Sequence, residues 1–243
     1  GGDGIGRCAC LKFAREGASV ITLEIREDAG RETVRLAAEE GGEAEFIQTD
    51  VSKADSVRAA FEKIAQKYGR IDALYNNASV FWGKKDSKME DIDLDIFETI
   101  LRINLFGLVY CSKYAIPLLK KSGGGSIINT ASSAGVIGIP GCTAYTASKG
   151  GTVSLTRSMA IEYGPDNIRT NVIAPAAIAT PMVIESDLTN PNFDEQEFLT
   201  KGTPLRRWGK PEEIANIAAF LASDEAAYLN GAIIVADGGI TIK

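Results

Sequence analysis

With 243 residues and a formal net charge of −6, the chain is sized for one large domain or two small ones. It is poorly suited to gripping a nucleic-acid backbone or an anionic membrane surface. Its 45% hydrophobic and 24% charged residues have the balance of a soluble globular protein, and no apolar run approaches the roughly 18–20 residues of a membrane span. There is no histidine, which excludes Ser-His-Asp and Cys-His catalysis. The four scattered cysteines, Cys8, Cys10, Cys111 and Cys142, speak against a zinc site and for a reduced, cytoplasmic setting.

Gly2, Gly4 and Gly6 open the chain in front of an apolar helical stretch. By itself this run reads either as a phosphate-cradling turn or as a flexible leader. Residues 18–25, rich in Val, Ile and Thr, read as a strand, 28–40 as an Ala- and Glu-rich helix, and 44–49 as the next strand. Val57, Ala60, Phe61, Ile64, Ala65 and Tyr68 recur at helical spacing, with Ser52 as the expected cap and Gly69 as the stop. A strand at 71–77, a long helix at 92–119, a strand at 125–132, a helix at 144–163, a strand at 168–175, a helix at 211–222 and a strand at 232–237 follow. This β-α alternation predicts one domain over 1–243: a doubly wound parallel sheet in a three-layer α/β/α arrangement. Residues 180–203 lack a clear period.

On such a sheet a Gly-rich turn aims backbone N–H groups and the positive end of a helix at a pyrophosphate, and Ile5 would anchor that helix in the core. An acidic residue about 20 positions on completes the pattern by accepting from ribose hydroxyls. Glu24 stands 18 residues after Gly6 and ends an apolar run. A carboxylate there repels a 2′-phosphate and favours NAD over NADP. Arg26 nearby pulls the other way. Tyr145 and Lys149 are four residues apart in a helical stretch, so both project from one face. A phenol with a pKa of about 10 is a weak base at neutral pH. A neighbouring cation lowers that pKa, so the pair suits acid/base work.

These residues fall in an order that resembles the short-chain dehydrogenase/reductase family from nearly end to end. GGDGIG at 1–6 is similar to the end of its nucleotide turn, Asp50-Val51 to its adenine-pocket pair, and NNAS at 76–79 to its NNAG. NLFG at 104–107, TASSAG at 130–135, YTASK at 145–149 and PAAIATP at 175–181 resemble its remaining motifs, as does the region from 204 to 239. The resemblance implies a Rossmann-type fold and hydride transfer between a nicotinamide cofactor and an alcohol or ketone. It implies that Ser132 binds the substrate oxygen, Tyr145 is the acid/base, Lys149 holds the ribose and lowers the Tyr145 pKa, and Asn104 steadies a water. Cofactor contacts would come from Gly2, Asp3, Gly4, Ile5, Gly6, Glu24, Asp50, Val51, Asn77, Ala78, Ser79, Tyr145, Lys149, Pro175, Ala176, Ile178 and Thr180. Asp3 adds to the bias against NADP. The family also implies a homotetramer paired through the helices at 92–119 and 144–163.

Three departures shape further expectations. Ser79 and Ala176 stand where the family has glycine, and Ala176 would be strained if its φ were positive. The family's first strand, central in its sheet, has no counterpart before Gly2, so about ten native residues are expected to precede the turn. A sheet without that strand would leave its second and fourth strands with exposed edges. Trp82, Ile137, Cys142, Met182 and Val183, with Phe81, Phe193 and Phe198, form a mostly apolar candidate substrate pocket, and 182–203 a candidate substrate loop. A small, alicyclic or apolar secondary alcohol or its ketone is the expected substrate, with NAD and no metal. The alternatives are a 3-oxoacyl-thioester reductase using NADPH and a non-catalytic nucleotide-binding sensor or scaffold.

Overall fold

The apolar runs become short parallel strands, and the segments of 3.6-residue period between them become helices. In the computed structural model, which describes residues 1–184 and 193–243, the chain begins α1 (Gly4–Arg15), β1 (Ser19–Glu24), α2 (Glu27–Glu39), β2 (Glu43–Gln48), α3 (Ala54–Tyr68) and β3 (Ala73–Asn76). Next come α4 (Leu94–Leu101), a π turn at Arg102–Phe106 and α5 (Gly107–Lys121). The alternation continues with β4 (Gly125–Thr130), α6 (Thr143–Tyr163), β5 (Ile168–Pro175), α7 (Pro211–Ala222) and β6 (Ile233–Ala236).

All strand pairs are parallel, but they form two sheets: β1 with β2, and β3-β4-β5-β6 in that order. Among the described residues no strand lies between β1 and β3. A cavity of about 740 Å³ lies between them, lined by residues 18–23 and 72–77 together with Phe13 of α1 and Leu108 and Cys111 of α5.

Adjacent strand residues point to opposite faces, and both faces are covered. Ile128 and Ile173 pack with Ile178, Ile214 and Leu221 on the side of α1 and α7, where Ile5 and Phe13 join them. Ile127 and Ile168 pack with Phe61, Ile64 and Leu119 on the side of α3 and α5. Val172 and Ala174 pack with Val153 of α6. Each fully buried isoleucine contributes about 1.5–3 kcal/mol relative to exposure.

Three local expectations are corrected. The helix expected at 92–119 is interrupted by the π turn, where Gly107 N–H reaches back to Arg102 C=O. Ser52 does not cap α3. Its amide and hydroxyl donate to Asp50 Oδ1 at 3.0 and 2.6 Å, and Lys53 takes the cap position without a side-chain bond. A short carboxylate two residues upstream captures Ser52 before the helix can use it. The left-handed backbone falls not on Ala176 but on Ala177, at φ 53°. There the main chain pairs with Gly209 through Gly209 N–H to Ala177 C=O (2.8 Å) and Ala179 N–H to Gly209 C=O (2.9 Å).

Candidate active site

Most of the candidate residues follow the carboxyl ends of strands: Glu24 on β1, Asn77 after β3, Ser132 after β4 and Thr180 after β5. That is the rim where ligands of open α/β sheets bind. The turn after β4 lies directly on α6. A Cβ at Gly135 would come within 2.7 Å of the Lys149 carbonyl oxygen. This contact brings Ser132 to Tyr145, near enough for its hydroxyl to lower the phenol pKa. Ser132 also accepts from Ala134 N–H at 3.2 Å, capping the short turn that follows. Lys149, one helical turn beyond Tyr145, is only 1% exposed. Its Nζ donates to the Thr130 carbonyl at 2.9 Å and lies 5.5 Å from the centre of the Tyr145 ring.

Burial governs the ionisation of both groups, because it disfavours whichever form is charged. It pushes the Tyr145 phenol up to about 12, against a smaller opposing effect of the Ser132 hydrogen bond. It pushes Lys149 down to about 7. Burial is the largest influence on the Tyr145 phenol, and burial likewise makes the charge of Lys149 costly.

Asn104 sits buried on the π turn. Its Oδ1 accepts from Val80 N–H at 2.8 Å, while its Nδ2 donates to Val80 C=O at 2.9 Å and Ser148 Oγ at 3.2 Å. Both amide hydrogens are engaged within the protein. The expected hold on a water thus falls to its main chain or its remaining oxygen lone pair.

On the nucleotide side, Asp3 caps α1 by accepting from Gly4 N–H at 2.8 Å. Gly2 N–H donates to Glu24 Oε2 at 2.8 Å, and the amides of Ile25 and Arg26 donate to Oε1 at 3.1 Å. Burial raises the Glu24 pKa, and the bonds from the Arg26 and Gly2 amides lower it. Arg26 lies between carboxylates, 3.5 Å from Asp3 and 3.7 Å from Glu24. The turn is closely packed. A Cβ at Gly6 would come within 2.9 Å of Asn77 Nδ2, and one at Gly4 within 3.3 Å of the Thr180 methyl. Asn77 Oδ1 accepts in turn from Tyr75 and Thr130 hydroxyls at 3.3 and 3.4 Å. A Cβ-free backbone at a helix N-terminus beside a carboxylate fits the pyrophosphate and ribose of a dinucleotide.

The remaining cofactor candidates are less convergent. Asp50 is engaged by Ser52 and by Lys53, at 3.1 Å. Val51 packs where a Cβ at Gly107 would meet it at 3.1 Å. Ala78 is exposed and Ser79 half-buried. Pro175 ends β5 opposite Ala236, and Ile178 belongs to the core beside α7.

Among the pocket candidates, the Phe81 ring lies 4.8 Å from that of Tyr145 at 60°. Cys142 also lies close to the phenol. Trp82 carries Lys85 over its ring at 4.9 Å. Ile137 is exposed, and Met182 and Val183 are half-buried on the turn after Thr180. Phe193, Phe198 and Trp208 form a separate row with centroids 5.4 and 5.1 Å apart. Residues 185–192 of the expected substrate loop lie outside the described residues. Sequence reasoning missed Asp86, a buried carboxylate that accepts from the Ala144 and Tyr145 amides. The signal was that α6 starts after Cys142, a residue type that caps poorly. Among the described residues no group of acidic or Cys side chains is placed to hold a metal, and no helix is long and apolar enough to cross a membrane.

Comparison with known proteins adds three relatives. A family model described as enoyl-(acyl carrier protein) reductase matches residues 2–241. A 3-oxoacyl-[acyl-carrier-protein] reductase of Thermotoga maritima is 37% identical over 240 residues, covering 99% of this chain and 94% of that one. A cyclohexanol dehydrogenase of an Acinetobacter species is 34% identical over 242 residues, covering 100% and 92%. The crystal structure of a levodione reductase superposes with a TM-score of 0.94 at 35% identity, covering 99% and 95%.

Proposed function

This chain belongs to the short-chain dehydrogenase/reductase family, an oxidoreductase acting between alcohols and ketones, and we propose that it uses NAD and a small, apolar, alicyclic substrate. The observation that carries this reading is the gathering of buried Lys149 and Ser132 with half-buried Tyr145 at the rim of the sheet. In the oxidising direction the Tyr145 oxygen takes the alcohol proton, and in the reducing direction its hydroxyl gives a proton to the carbonyl oxygen. Ser132 Oγ, beside that hydroxyl, binds the same substrate oxygen. Lys149 holds the ribose, and a pKa brought to about 7 lets its charge change at neutral pH. Bound NAD supplies the hydride acceptor and a positive ring.

Glu24 beside the glycine turn supports NAD over NADP, and Arg26, the opposing signal, faces Asp3 and Glu24. Phe81 and Cys142 beside Tyr145 support an apolar substrate, as do relatives named for cyclohexanol and levodione. The Thermotoga relative's name favours a second reading, a 3-oxoacyl-thioester reductase using NADPH. A homotetramer is proposed as well. Phe106, Val109 and Ile161 are exposed on the helices expected to pair, and sedimentation as a monomer would refute it.

The test is a panel of cyclic alcohols, their ketones and a 3-oxoacyl thioester with each cofactor, read by nicotinamide absorbance. Turnover of cyclic alcohols with NAD is expected. Preference for NADPH with the thioester would favour the second reading. NAD binding without turnover of any substrate would leave only a scaffold.

A further inference from the structure

The helix that carries Tyr145 and Lys149 does not cap itself. Cys142, at its N-cap, makes no side-chain cap bond. The first-turn amides are instead met by a carboxylate from far upstream. Asp86 Oδ1 accepts from Ala144 N–H at 3.1 Å and Oδ2 accepts from Tyr145 N–H at 2.9 Å. Oδ1 also takes the amide of Ser87 at 2.9 Å. The side chain is 6% exposed. A charged acceptor is favoured at a helix N-terminus, and charge-assisted bonds to main-chain amides are about twice as strong as neutral ones.

Asp86 does not hang from a loose loop. Its own amide and that of Lys85 bond back to the Trp82 carbonyl at 2.8 and 2.7 Å, closing a tight turn. Thr143 N–H reaches the Ser87 carbonyl at 3.3 Å. At the other end of the segment, Asn104 grips both the N–H and the C=O of Val80. Residues 80–87 are therefore fixed at both ends, by the π turn at one and by the start of α6 at the other. Between the two fixed points lies Phe81, whose ring packs against the Tyr145 ring.

We propose that Asp86 is a positioning residue for the reaction: its carboxylate, bonded to the main chain of Ala144 and Tyr145, sets the phenol against Ser132 and locks Phe81 to it. Both Asp86 carboxylate oxygens are taken up by main-chain amides, so its effect passes through Tyr145. It rests on the reading of Tyr145 as the acid/base. Misplacing a reacting group by about an ångström can cost roughly a hundredfold in rate. Removing the carboxylate should thus lower kcat more than NAD affinity, because none of its bonds reaches the glycine turn.

The experiment compares Asp86→Ala and Asp86→Asn with the unmodified protein, using NAD and the cyclic alcohol turned over fastest. kcat, KM and the NAD dissociation constant are each measured, with Tyr145→Phe alongside. Asp86→Ala should lower kcat by roughly ten- to a hundredfold while NAD affinity changes less than about twofold. Asp86→Asn keeps one oxygen for one of the two amides and should fall between, a partial rescue that a purely structural role would not separate from NAD binding. If Asp86→Ala does not fold, the Asp86→Asn split between kcat and NAD affinity decides alone. Unchanged kcat in the variants overturns the proposal, and so does a parallel loss of kcat and NAD affinity. Normal turnover by Tyr145→Phe would instead strike the reading beneath it, so the two failures are told apart.

Discussion

Around Ser132, Tyr145 and Lys149, positions are set by side chains from separate segments bonded to one another and to nearby main chain. Around Gly2, Gly4 and Gly6, positions are set mainly by backbone approaching its neighbours closely. Lys149 is buried and tied to Thr130, Asn104 to Val80, and Asp86 to the start of α6. The glycine turn, by contrast, meets Glu24 through an amide and Asn77 through the lack of a Cβ. The difference teaches that one half of the rim is tuned by side-chain chemistry and the other by the space glycine leaves. Damage to the first should appear in kcat and ionisation, and damage to the second in cofactor affinity.

The largest expected effect sits in the first region. Tyr145→Phe should lower kcat by about 10²–10⁴, with the NAD dissociation constant little changed in calorimetry. A variant that lost NAD binding in proportion would erase the distinction between the regions. Next comes Lys149, whose folded pKa lies below its unfolded value. Between pH 7 and about 10 the unfolded chain binds the extra proton, so stability from this group rises with pH across that window and is lowest below it. Lys149→Met should remove a slope of up to about 1.4 kcal/mol per pH unit, read from urea midpoints at pH 7, 8 and 9. An unchanged slope would mean that Lys149 keeps its charge on folding.

In the second region Gly6→Val should weaken NAD binding by roughly ten- to a hundredfold, the equivalent of about 1–3 kcal/mol of overpacking against Asn77. At saturating NAD, kcat should hold. A fall in kcat alone would break the comparison from the other side. The smallest effect is at Ala177, where a left-handed alanine costs about 1–2 kcal/mol. Ala177→Gly should raise the thermal midpoint by about 2–4 °C, seen by calorimetry.

The alternation of strands and helices was legible because each element announces itself within a dozen residues. Val57, Ala60, Phe61 and Ile64 all enter the core, as their spacing predicts. Tyr145 and Lys149 were legible for the same local reason. Asp86 was not, because it lies 58 residues from the amide it caps and no periodicity links a loop to a distant helix start. The misplaced cap at Ser52 turned on a competition for one hydroxyl, and the positive φ at Ala177 on pairing with Gly209. Both are settled by geometry that composition does not carry. The pKa directions of Tyr145 and Lys149 depend on burial depth, which a spacing of four residues leaves open.

The π turn at Arg102–Phe106 can be viewed as a matter of phase. An α-helix advances about 100° per residue, so one surplus residue carried through the helix would swing everything downstream by that angle. A π turn absorbs the surplus locally. Here α4 faces α6 while α5 faces α3, and the widened turn between them carries Asn104. Trimming one residue from 102–106 is the natural way to restore an unbroken helix. Both flanking faces would keep their neighbours, and the loss would fall on the grip that holds Val80.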